Sequence, residues 1–303
     1  MKHWVTYPLV THPYDPAFVR KEAVTRFAQT AERVGFSGIG FTDHPAPSDR
    51  WLNSGGHDAL DPFAALAFVA AVTERLLLIP NIVVLPYRNP FLVAKSVATI
   101  DALSSGRFVL STAVGYQRAE YRALGVEYDD RNALFDEAIE VIKGIWTTDD
   151  FVYEGRNFTA KGQTANPKPK RAPIWIGGNS QQARQRAATV GDAWNPFPAP
   201  RSMAVTTKTV ALETIEDLMP LLDDLWQRVD EAGRDRADLD VSFANLACGN
   251  PGTTEFDADE AARGVAELSD LGVTWTSTSV PSESVDQAIE ALELYGEQVI
   301  AAT

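Results

Sequence analysis

The sequence predicts an α/β protein folded as one closed (β/α)8 barrel over residues 1–303, and three observations carry that reading. Eight short apolar runs recur along the chain, and each is followed by a stretch whose apolar residues fall at helical spacing. The runs are mainly apolar rather than alternating, as in parallel strands covered on both faces. Residues 8–13, after the first run, contain no glycine. The doubly wound open sheet, whose first turn is glycine-rich, is therefore the runner-up.

The elements follow in order. Residues 2–10 form strand one, stopped by Pro8 and Pro13, and a helix follows with Val19, Ala23, Phe27, Ala31 and Val34 on one face, ended by Gly35. Strand two, 38–42, ends at Asp43-His44-Pro45 and opens a long polar stretch with Trp51, Gly55, Gly56 and His57. Asp61-Pro62 starts the next helix, with Phe63, Leu66, Ala67 and Ala70 inward. Strand three, 76–85, is apolar except at Pro80 and Asn81, and the helix opened by Asn89-Pro90 closes at Ser105-Gly106. Strand four, 108–114, ends at Gly115, and Leu134, Ala138, Ile142 and Ile145 line the helix after it.

Residues 151–173 alternate weakly and read as an excursion holding a small hairpin. Strand five, 174–176, runs into Gly177-Gly178 and a helix with Ala183, Ala187 and Val190. Strand six is 191–195, and 197–209 is a second polar, proline-broken excursion. A helix over 214–232, strand seven (239–247), a helix stopped by Gly272, strand eight (273–280) and a last helix through Val299 complete the count. The barrel thus carries excursions after strands two, four and six.

Composition narrows the function. A hydrophobic fraction of 45% supplies a large core, and the single cysteine, Cys248, excludes an internal disulfide. No apolar run is long enough to cross a bilayer, so a soluble cytoplasmic protein is expected, with no membrane partner. The formal charge of -14 argues against nucleic acid and requires a local socket for any anionic ligand. The basic cluster Lys168, Lys170 and Arg171 reads as a solvated loop. The four histidines have no metal-ligand spacing, so no metal is expected.

Residues 172–181 offer that socket. Two glycines permit close approach of a backbone, and the helix start at Asn179 or Ser180 offers amide donors and the positive end of a dipole. A plain strand-to-helix turn is the other account. In a barrel, ligands gather at the C-terminal ends of the strands. That draws attention to Asp43 and His44, to 81–87, to 115–118, to 177–180, and to Trp194 with Asn195. Trp4, Trp51, Trp194 and Phe197 are candidates for core or for the wall of a substrate pocket.

Five segments in order resemble the bacterial-luciferase-like monooxygenase superfamily, and most closely its branch of F420-dependent oxidoreductases. They are Thr42-Asp43-His44, the run Val84-Leu85-Pro86-Tyr87-Arg88-Asn89-Pro90, Leu103-Ser104-Ser105-Gly106-Arg107, the strand-five segment from Pro173 to Ser180, and Gly191-Asp192-Ala193-Trp194-Asn195-Pro196. The resemblance implies a (β/α)8 barrel binding coenzyme F420, or alternatively FMN, at the strand ends. It implies that Gly177, Gly178, Asn179 and Ser180 hold the cofactor phosphate. It also implies that Asn81, Ile82 and Val83 bulge under the ring through a cis Asn81–Ile82 bond. Gly115, Tyr116 and Trp194 join the cofactor-binding set. Asp43 and His44 are the implied catalytic pair, His44 suited to proton transfer beside a hydride shift.

Some flavin-using members place an arginine where this chain has Val114, a departure that favours F420. The expected activity is hydride transfer between the deazaflavin and a small organic substrate, with a homodimer as the expected assembly. The alternatives are an FMN-dependent monooxygenase, a non-catalytic cofactor binder, and a cofactor-free lyase or isomerase using Asp43 and His44.

Overall fold

The computed structural model describes residues 1–207 and 209–303. Among these, the strands are β1 (Lys2–Thr6), β2 (Gly38–Gly40), β3 (Leu77–Leu78), β4 (Val83–Val84), β5 (Leu110–Ala113), β6 (Phe151–Glu154), β7 (Thr159–Gln163), β8 (Ile174–Gly177), β9 (Ala193–Asn195), β10 (Asp240–Ala244) and β11 (Trp275–Thr278). Nine form one sheet in the order β3-β2-β1-β11-β10-β9-β8-β5-β4, and every pairing within it is parallel. The sheet is curled. Its end strands β3 and β4 are two pieces of the single strand expected over 76–85, and Leu78 also bridges Phe108 beside β5. The strand breaks where Pro80 brings no N–H to the ladder and where the Asn81–Ile82 bond is cis.

Helices cover the outer face and begin where the sequence places caps. Asp61 and Asn89 cap helices Pro62–Val72 and Pro90–Leu103, each with proline in the first turn. Ser180 caps Gln181–Val190, and Thr214 with Asp217 forms a capping box for Ile215–Glu231. Strands β6 and β7 make the expected antiparallel hairpin, apart from the main sheet. After β2 the chain carries a short helix, Asp49–Leu52, and after β9 a helix, Arg201–Thr207, beside an antiparallel bridge between Ala199 and Leu212. Lys208, within that second expected excursion, lies outside the described residues. No helix among the described residues is long and apolar enough to cross a membrane.

The inner face of the sheet has two tiers. Trp4, Ile79, Val109, Trp175, Ala193 and Trp275 form a buried cluster separate from the main core, with Trp175 and Trp275 edge to face at 5.1 Å. Side chains alternate along a strand, so the residue two further on returns to the same face. Those positions are Thr6, Asn81, Ser111, Gly177, Asn195 and Ser277. Asn81 Nδ2 donates to Thr6 Oγ1 at 3.0 Å, and Asn195 Nδ2 to Ser111 Oγ at 3.3 Å. A floor of aromatic bulk thus carries a tier of small polar residues facing the C-terminal ends of the strands.

Candidate active site

The residues that follow β2 enter the site in opposite ways. Asp43 is buried, and its carboxylate is occupied. Arg88 Nη1 and Nη2 donate to its two oxygens at 2.6 and 2.8 Å, and the Val84 amide donates at 2.9 Å. Burial pushes the Asp43 carboxyl upward, and the forked guanidinium holds back part of that rise. Asp43 therefore ties the end of β2 to the turn after β4, and the structure gives it no bond to His44. Its carboxylate partners are Arg88 and Val84 rather than the His44 imidazole.

Glu120 orients His44 instead. It lies in helix Arg118–Ala123, beyond Gly115, and is fully buried. Its Oε2 accepts from His44 Nδ1 at 3.0 Å and from the Tyr87 hydroxyl at 3.3 Å, while Oε1 accepts from the Ala46 amide at 3.1 Å. Burial, with Glu120 beside it, pushes the Tyr87 phenol upward, so Tyr87 stays a donor. A carboxylate that only accepts fixes the proton on Nδ1 of neutral His44 and leaves Nε2 bare. Trp51 lies against the imidazole with ring centroids 4.4 Å apart, and Tyr116 stands 6.4 Å away at 70°.

Of the residues implied to bind a cofactor, several converge. A Cβ on Gly177 would stand 3.2 Å from Ile82 Cγ2 and 3.4 Å from Ala113 Cβ, so Gly177 and Ile82 are neighbours above the aromatic floor. Val83 pairs with Thr112, whose hydroxyl donates to the Val83 carbonyl at 2.9 Å. Gly115 has φ +67 and packs on Val84, a position a side chain would overfill. Gln117 Nε2, next to Tyr116, is buried without a hydrogen-bond partner.

The rest serve the frame. Gly178, at φ +108, already donates its amide to the Asn195 carbonyl at 3.3 Å. The Asn179 side chain is fully buried; Nδ2 donates to the carbonyls of Phe197 and Val210 at 2.9 and 3.1 Å, and Oδ1 accepts from the Phe197 amide at 3.0 Å. Ser180 Oγ accepts from the Ala183 amide at 3.2 Å as the helix cap. A ligand here would meet the backbone of the helix start rather than these side chains. Trp194 faces outward into the main core and donates from Nε1 to the Gly178 carbonyl at 2.9 Å. Its neighbour Asn195, not Trp194, looks inward.

Sequence reasoning missed Glu120 and Arg88. Arg88 sits inside one of the recognised segments, yet nothing in its neighbours announces a buried partner. Glu120 is flanked by Arg118, Tyr121 and Arg122, a pattern any surface helix shows.

The chain is 36% identical over 177 residues to an FMNH2-dependent dimethylsulfone monooxygenase from Pseudomonas putida, covering 55% of this chain and 46% of that one. It is 30% identical over 220 residues to an F420-dependent glucose-6-phosphate dehydrogenase from Microbacterium testaceum, covering 71% and 60%. The matched part thus spans about half the length of these relatives. Among solved structures, a monooxygenase from Streptomyces bottropensis superposes with TM-score 0.81 at 20% identity, covering 99% of both chains, a likeness of fold. The sequence model of the luciferase-like monooxygenase family matches residues 4–269, and the chain belongs to that family.

Proposed function

We propose that this protein is an F420-dependent oxidoreductase, a single (β/α)8 domain that moves a hydride between the deazaflavin and a small organic substrate. The observation that carries the reading is the Glu120–His44 pair, a buried carboxylate holding an imidazole with Nε2 bare in the loop after β2. The residues fit a flat ring. Gly177 leaves room against Ile82 and Ala113, Gly115 adopts a backbone that side chains rarely take, and Gln117 Nε2 is a buried donor without a partner. The helix start at Asn179, Ser180 and Gln181 suits the phosphate, through backbone amides.

When bound, F420 supplies a carbon centre that accepts or gives a hydride, and lacks the oxygen-reactive nitrogen of a flavin. The chain's own part is then acid–base and positional. Glu120 holds the tautomer of His44, and His44 Nε2 takes or returns the substrate proton. Trp51 and Tyr116 flank it, and the segments 45–61 and 197–207 form the rim that selects the substrate.

A second reading, FMN-dependent monooxygenation, is favoured by the higher identity to the dimethylsulfone monooxygenase. Val114, in place of an arginine for the flavin phosphate, and the relative longest in matched span of the two, the F420-dependent dehydrogenase, weigh the other way. Parallel calorimetric titrations with F420 and FMN decide between them. Tighter binding of F420 is expected, and preferential binding of FMN would replace the first reading by the second.

A further inference from the structure

The loop after β2 brings a second imidazole to the site. The His57 ring stands 4.9 Å from that of His44, centroid to centroid, at 86°. Its Nδ1 is 2.9 Å from the Asp58 carbonyl, which can only accept, so neutral His57 also carries its proton on Nδ1. Two imidazoles packed edge to face therefore each keep a bare Nε2, and Trp51 packs on both, at 4.4 and 5.4 Å. The line continues outward, where Asp58 Oδ2 meets His12 Nδ1 at 2.7 Å. Side-chain exposure rises along it, from 0% for Glu120 and 11% for His44 to 23% for Asp58 and 29% for His12.

We propose that His57 is the proton relay of this site, passing the proton held by His44 to water at the rim and so restoring neutral His44. The proposal rests on His44 being the acid–base group of the proposed reaction. In the oxidising direction a substrate O–H bond breaks. Its proton goes to His44 Nε2, and its electron pair forms the new C=O bond as the hydride leaves for the cofactor. The proton then moves from His44 to His57, whose ring centroids stand 4.9 Å apart, by way of a bridging water or a ring rotation, and on to solvent. The charged and titratable groups facing His57 are His44, Asp58 and Glu120. Burial lowers the basicity of His57 by more than the Asp58 carbonyl and the Asp58 and Glu120 carboxylates raise it, which favours release of a proton arriving there.

The test begins without cofactor. In 15N-labelled protein, the exchange by which His44 Nε2 gains and loses a proton is followed through its 15N lineshape between about pH 6 and 8. In His57→Gln and His57→Phe that exchange is expected to slow at least about tenfold, while the Nδ1 proton shared with Glu120 keeps its resonance. With F420 and a turned-over substrate, His57→Ala is expected to lose kcat and to regain it on addition of free imidazole, with KM little changed. Unchanged exchange at His44 in either folded variant overturns the relay, as does an activity loss that imidazole does not restore. Failure of the wild-type protein to bind F420 would end the cofactor reading while leaving the exchange measurement to judge the relay.

Discussion

His44 and Glu120, 76 positions apart in the chain, meet through an Nδ1 to Oε2 contact of 3.0 Å. The helix that carries Glu120 begins just past Gly115, so the turn after β5 delivers a buried carboxylate to the loop after β2. Burying a carboxylate is costly unless its oxygens are bonded, and here three donors from two segments, the loop after β2 and the turn after β4, meet it.

Replacement of Glu120 by Gln leaves one acceptor oxygen for those three donors and removes the charge that holds the His44 tautomer. Turnover is expected to fall about 100-fold, within the range for positioned acid–base groups. Steady-state kinetics would read this as a drop in kcat with KM nearly constant. An equal rise in KM would mean that Glu120 shapes the substrate site instead.

The Asp43–Arg88 pair makes a different demand. Arg88→Ala leaves a buried carboxylate with only the Val84 amide, and a loss of about 3–5 kcal/mol is expected from breaking a buried pair on one side. Arg88→Lys restores charge but not the fork, and should fall between the two. Urea denaturation of the three proteins gives the order directly. A stability for Arg88→Ala within error of wild type would show that the pair contributes nothing net.

Two glycines that look alike in the sequence should behave differently. At Gly115 an added Cβ would lie 2.4 Å from Val84 Cγ1, and φ is +67. Strain and overpacking together predict a loss of about 2–4 kcal/mol for Gly115→Ala. At Gly177 the nearest atom is 3.2 Å away, and no left-handed backbone is required. Gly177→Ala should fold almost normally and weaken cofactor binding about tenfold, a difference of ~1.4 kcal/mol. Melting temperature and titration on the same two samples separate the cases.

Much of the frame was legible because it is local. The apolar runs, the caps at Asp61, Asn89 and Ser180, and the turn at Gly177-Gly178 each follow from a few neighbouring residues. Strand three was legible only as one piece, because its division between two partners depends on where β2 and β5 stand. In the site, His44 stood out by its residue type and by the recognised segment. Its partner did not, since a glutamate at 120 becomes special only through burial against a loop 76 positions away. Trp194 and Asn195 were named together, and the strand's alternation, whose phase is set by the curled sheet, decides that Asn195 faces inward.

Asn179 illustrates the same limit and yields its own test. The resemblance implies that Asn179 holds a phosphate, which leaves its backbone for that role, because its side chain clamps Phe197 and Val210 with three hydrogen bonds. Asn179→Ala should cost about 1–3 kcal/mol for the buried groups it leaves unpaired. The loss should be local. Hydrogen exchange at Val210 and Leu212 should accelerate more than in β8 or β9, and uniform acceleration would make Asn179 a global core residue.

His3 sets the pH response of the fold. It is buried on β1, with Nδ1 3.2 Å from the Tyr295 hydroxyl and Nε2 3.2 Å from Thr303 Oγ1. Burial, with the N-terminal ammonium adding to it, lowers its pKa from 6.5 to about 4. Between those values the unfolded chain binds the proton and the folded chain does not, so stability rises with pH across the window. The contribution is fully present above 6.5 and is lost progressively as pH falls toward about 4. At 1.36 kcal/mol per pH unit the loss amounts to about 3 kcal/mol. Urea midpoints for wild type should therefore decline from pH 7 to pH 4, and His3→Gln, which does not titrate, should remove about that much of the slope. A wild-type slope that His3→Gln leaves intact would place the acid sensitivity in the carboxylates instead.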